Sequence, residues 1–160
     1  MRDARQPRAT REEAIRLIFA TKRNYSVPET ANLLAIDEAA LAAEIAEGAL
    51  ATATDRRDYL PWREVAYLAL RTWPLDLIFE ALGTDAESHL PKLLRPTTIT
   101  VTLPAYQVRA LEVLGQARRM DVSTYLQLHL LDLASAESPS LAAQIPGFLA
   151  ALQFPFGEEP

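Results

Sequence analysis

The chain has 160 residues, 49% of them hydrophobic, and a net charge of −5, enough apolar material for one ordinary domain or two small ones. It has no cysteine, which excludes disulfide staples and thiolate metal sites and suits a cytoplasmic protein, nucleoid-associated or cytosolic. No apolar run approaches the roughly 20 residues of a membrane span, and "MRDARQPRAT" lacks the apolar core of a secretory signal.

Charge is unevenly spread. Residues 1–23 carry seven basic and three acidic groups, whereas 24–54 and 121–160 each carry five acids and no base. Residues 1–24 read as a basic arm, with Arg2, Arg5, Arg8 and Arg11 placed to meet phosphate, and a first helix capped by Thr10 with Ile15, Ile18 and Phe19 on one face. From residue 25 to 83 a small helical domain is expected. Ser26 with Glu29 is a capping box, and Pro28 sits in the first turn where its missing N–H does no harm. Ile36 makes a turn, Asp37 caps a second helix from Glu38 to Glu47, and Gly48 ends it. The outline is helix-turn-helix.

"ATATDRRDYLPW" fits a small hairpin with Arg56 and Arg57 at a charged tip. Trp62, Val65, Ala66 and Ala69 then form a helical stripe, Pro74 breaks it, and Leu75, Ile78, Phe79 and Leu82 repeat it up to Gly83. Residues 84–96, bounded by Pro91 and Pro96, read as a linker. Thr98 to Leu103 alternate polar and apolar, a strand with Ile99, Val101 and Leu103 on one face and Thr98, Thr100 and Thr102 on the other. After Pro104 the period turns helical, over "AYQVRALEVLGQARRM" and "DVSTYLQLHLLDLA". A lone strand needs an edge partner, and the cheapest is the same strand in a second copy. The module 97–135 is therefore expected to dimerise through Ile99, Val101 and Leu103. Residues 136–160 read as an apolar tail, with Phe148, Phe154 and Phe156 expected to fold back on the core.

The order strand, helix, helix over 97–134 resembles the ribbon-helix-helix family of dimeric DNA-binding proteins. That resemblance implies a homodimer binding double-stranded DNA, with Thr98, Thr100 and Thr102 of the ribbon meeting base edges in the major groove. It implies phosphate contacts at Arg118, Arg119 and the Ser123 backbone, with Lys92 and Arg95 adding attraction. Two positions depart from the family pattern: Arg119 stands where glycine is frequent and Asp121 where serine is common. Residues 25–70, through Tyr25, Ser26, Glu29, Ala31, Leu34, Ile36, Leu41, Ile45 and Gly48, are similar to the winged helix-turn-helix of the MerR and excisionase type. Its recognition helix, with Asp37, Glu38, Glu44, Glu47 and five alanines, argues against base reading and for packing or partner binding.

The fold expectation is mainly α, a winged-helix-like N-terminal domain followed by a ribbon-helix-helix module with one intersubunit ribbon. The functional expectation is transcriptional regulation or architectural DNA binding. The alternative is a protein-interaction module, such as a type II antitoxin or assembly adaptor, with a protein partner at the C-terminal tail. Five glycines with no phosphate loop, and His89 and His129 without carboxylate partners nearby, give no catalytic residue, metal or cofactor to expect.

Overall fold

The computed structural model describes residues 10–19 and 22–157; the arm positions Arg2, Arg5 and Arg8 lie outside them. Among the described residues the chain is mainly helical, with one two-stranded antiparallel sheet. It divides into two compact units, Met1–Pro96 with Gln153–Pro160, and Thr97–Leu152.

The first unit begins with α1 (Arg11–Phe19). The Thr10 hydroxyl accepts the Glu13 N–H at 3.3 Å, and the Glu13 carboxylate accepts the Thr10 N–H at 2.7 Å. These two bonds hold the Glu13 carboxyl below the usual carboxylate range, the backbone N–H contributing more than the hydroxyl. Strand β1 (Asn24–Ser26) leads directly into α2 (Val27–Leu34). There Ser26 and Glu29 form the expected capping box and Pro28 lies in the first turn. Replacing Ser26 with alanine is expected to remove about 1 kcal/mol of stability, read as a lower urea midpoint.

Ala35 takes a left-handed conformation (φ 54°) that lets the Ile36 N–H reach the Ala31 carbonyl at 3.0 Å. Asp37 then caps α3 (Glu38–Ala46) by accepting the Ala40 N–H at 2.9 Å, and Gly48 follows at φ 76°. The pair α2–α3 thus rests on local devices: the Ser26–Glu29 box, left-handed Ala35, the Asp37 cap and Gly48.

The segment 51–62 differs from a self-contained hairpin. Its tip closes by an isolated bridge between Ala53 and Arg56, while β2 (Tyr59–Pro61) pairs with β1, Tyr25 opposite Leu60. Tyr25 and Leu60 are both buried, and a one-residue slip would expose both, so burial fixes the register. Helix α4 (Trp62–Thr72) buries Val65, Ala66, Leu68 and Ala69. Pro74 separates it from α5 (Leu75–Leu82), which buries Ile78, Ala81 and Leu82. These faces close on Ile15, Ile18, Phe19, Leu34 and Leu41 from the first three helices.

The stretch expected as a linker is folded. Gly83, at φ 55°, opens a 3-10 turn into α6 (Ala86–His89), and a second 3-10 turn spans Lys92–Leu94. Ala86 and Leu90 are buried in the core. Ala86 and Leu90 stand at helical spacing, but two positions among prolines and charges are too few to establish a period. Residues 153–157 pack on the same unit. The Phe154 ring meets Trp62 edge-on at 6.0 Å and Phe156 lies 5.6 Å from Tyr67.

Tyr25 is a second kind of anchor. Its hydroxyl donates to the Leu17 carbonyl at 2.6 Å, and burial, reinforced by Glu29, pushes its pKa up to about 12. The phenol ionises near 10 when unfolded and only near 12 when folded. Its contribution is therefore complete below pH 10 and lost as pH rises from 10 to 12, reaching about 2 kcal/mol. Urea midpoints measured between pH 9 and 12 should fall more steeply for the native chain than for Tyr25→Phe.

The second unit contains α7 (Ala105–Ala117), α8 (Val122–Ala136), α9 (Ser138–Gln144) and α10 (Phe148–Leu152). α7 and α8 pack on each other around Gly115 and Tyr125, the only buried residues of these four helices. Arg119 takes φ 59°, which accounts for glycine being the easier residue at that turn. A Cβ on Gly115 would meet the Met120 carbonyl oxygen at 2.9 Å and the Tyr125 Cβ at 3.6 Å. Gly115→Ala is expected to push the turn open at about 1–3 kcal/mol, detectable as loss of α-helical dichroism at lower temperature.

Candidate nucleic-acid interface

Thr98–Leu103 precede α7 and lie outside any helix or ladder. Among the described residues they make no hydrogen bond. Ile99 is 76% exposed and Val101 63%, and Leu103 is exposed as well. Thr98, Thr100 and Thr102 are exposed on the same segment. The helices that follow are equally uncovered. Val113, Leu114, Leu126, Leu130, Leu131 and Leu133 are all exposed, so α7 and α8 present far more apolar surface than they bury.

The α7–α8 turn brings Arg118, Arg119 and Ser123 together, all three exposed. The Arg118 guanidinium stacks 5.6 Å over the Tyr125 ring. At this turn, however, the backbone groups expected to grip a phosphate are partly taken. Asp121 accepts the Thr124 N–H at 3.0 Å and the Thr124 hydroxyl at 2.6 Å. The hydroxyl first, then the Thr124 N–H, hold the Asp121 carboxyl below its usual range. A negative charge therefore stands at the start of α8. Glu112, Asp132 and Glu137 add three more carboxylates to this unit, against Arg109, Arg118 and Arg119.

The remaining expected phosphate contacts belong to the first unit. Arg95 lies 3.7 Å from Glu87 and stacks over Phe79, so its charge is engaged within its own fold. Lys92 is exposed in the neighbouring 3-10 turn. Arg56 lies over the Tyr59 ring, Arg57 is exposed beside it at the loop tip, and Arg11 is exposed at the start of α1. Helix α3 turns only Leu41 fully inward, and Glu44 pairs with Arg71 at 3.2 Å. Its acidic, alanine-rich outer surface carries no donor for base edges. Sequence reading passed over Arg23 and Arg63, which lie far apart in the chain and line one cavity with Trp62, whose N–H donates to the Arg23 carbonyl beside the β1–β2 ladder. Among the described residues no cluster of metal-ligating side chains occurs and no helix is long and apolar enough to cross a membrane. Comparisons with protein-family models, curated proteins and solved structures returned no match.

Proposed function

We propose that the protein is a homodimer that binds double-stranded DNA, and that two copies pair their Thr98–Leu103 segments antiparallel as a ribbon lying in the major groove. The observation that carries this reading is the state of that segment in a single chain. Its alternating apolar residues are exposed, its backbone groups are without partners among the described residues, and it precedes a helix pair with only two buried residues. A second copy supplies all three missing things at once: backbone hydrogen bonds, a cover for Ile99, Val101 and Leu103, and a core for α7 and α8.

Pairing on the apolar face leaves six threonine hydroxyls on the other, and a two-stranded ribbon fits the major groove. Threonine offers one hydroxyl and one methyl, suited to thymine methyls, so base discrimination is modest. Arg118 and Arg119 then flank the ribbon as phosphate contacts. The first unit, with its helix-turn-helix and the loop tip at Arg56 and Arg57, fits a winged-helix module that positions the protein rather than reads sequence. A regulatory or architectural role follows from these properties.

A second reading, a protein-interaction module of the antitoxin or adaptor type, draws on the Asp121 carboxylate at the start of α8 and on acidic α3. Gel shifts with mixed-sequence duplexes at two salt concentrations, together with the solution mass, separate the two. The DNA reading expects a dimer whose affinity falls steeply with salt. Thr100→Ala with Thr102→Ala is expected to weaken duplex binding about tenfold while the mass stays dimeric. An unchanged affinity in that dimer favours the interaction module.

A further inference from the structure

We infer that the first unit carries its own contact for the DNA backbone, in the cavity of about 580 Å³ between the end of α1, the β2–α4 junction and α6. The inference rests on the DNA reading above and assigns to it a surface built without any residue of α3. Arg23 and Arg63 both line this cavity, over a floor formed by Pro61 and Trp62. The Arg23 carbonyl accepts the Trp62 N–H at 2.9 Å, and Asn24 stands opposite Pro61 in the ladder. Backbone pairing therefore holds Arg23 against Trp62, one residue before Arg63.

Their surroundings set them apart from Arg16, Arg56, Arg71 and Arg95 of this unit, and their place in one cavity sets them apart from Arg11 and Arg57. Arg71 and Arg95 hold Glu44 and Glu87, Arg56 lies over Tyr59, and the Arg16 Nε–H donates to the Ala81 carbonyl. Among the described residues neither Arg23 nor Arg63 has a carboxylate, a carbonyl or a ring to engage. Lys22 adds a third cation, shared with Glu29, and His89 closes the side at α6; among the described residues no carboxylate lines the cavity.

Uncompensated guanidinium forks match phosphate oxygens. A site for a small anion buries most of its ligand, but here Arg23 and Arg63 are exposed and the Lys22 side chain is 49% exposed. Such a rim suits a phosphodiester chain passing across it. The contact is sequence-independent and adds to affinity by releasing counterions.

The test is the salt dependence of the full chain binding a fluorescein-labelled mixed-sequence DNA duplex, followed by anisotropy, for the native protein and for Arg23→Gln with Arg63→Gln. Both side chains are exposed, and an unchanged melting temperature verifies the fold. The double variant lacks two guanidinium groups in each protomer of the proposed dimer, so the plot of log affinity against log salt is expected to lose about three to four in slope, with equal weakening on unrelated duplexes. Native protein that binds DNA with a slope the double variant retains overturns this contact and leaves the ribbon reading standing. Native protein that binds no duplex at low salt overturns both.

Discussion

Val101→Asp is expected to turn the proposed dimer into a monomer at micromolar concentration, with sedimentation mass falling by half. In an antiparallel ribbon about a two-fold axis, Ile99 and Val101 sit near the centre, so each substitution appears twice in one seam. Replacing valine forfeits the burial of two side chains, each worth about 1.5–3 kcal/mol, and leaves two carboxylates to be desolvated side by side. The sum exceeds about 3 kcal/mol, a hundredfold or more in Kd. DNA binding should fail with it, since three threonines on a single segment make no ribbon. Thr100→Asp, on the opposite face, is the control: it should stay dimeric and lose DNA. A Val101→Asp protein that remains a dimer removes the seam from this segment.

Trp62→Ala is expected to cost about 3 kcal/mol. The indole N–H donates to the Ile18 carbonyl at 2.6 Å, Phe19 meets the ring at 6.5 Å and Phe154 at 6.0 Å. One side chain thus satisfies a carbonyl at the end of α1, fills the gap beside β2 and seats the returning C-terminal segment. Removing it leaves that carbonyl only the longer bond from the Tyr25 hydroxyl at 3.5 Å and two phenylalanines without an aromatic edge. Thermal unfolding in the absence of DNA measures this directly. Phe154→Ala should cost less, because only the last of the three roles is lost. Equal costs for the two variants would mean that the Ile18 bond contributes nothing.

Much of the first unit was legible because its signals are local. Ser26 with Glu29, Thr10, Asp37 and Gly48 each act within a few residues and stand where the caps are. The stripes through Val65–Ala69 and Ile78–Leu82 announce their buried faces by period alone. The β1–β2 pairing was not legible, since three-residue strands are too short to show a period of two and their partner lies beyond two helices. Nor were Ala86 and Leu90, buried by tertiary packing in a stretch whose composition reads as a connector. The candidate site divides in the same way. The alternation of Thr98 to Leu103 is visible at once, whereas the sharing of one cavity by Arg23 and Arg63 depends on a long-range ladder. Asp121 was legible as a cap; that its carboxylate takes up the Thr124 N–H and hydroxyl emerges only in three dimensions.

The chain leaves the first unit at Pro96 and re-enters it at Gln153, so the second unit is an insertion with both ends moored. Limited proteolysis between Pro96 and Thr97 should therefore nick the protein without freeing a fragment. The downstream piece stays attached through Phe154 on Trp62 and Phe156 on Tyr67. The two pieces should co-elute on a sizing column in native buffer and separate only in denaturant.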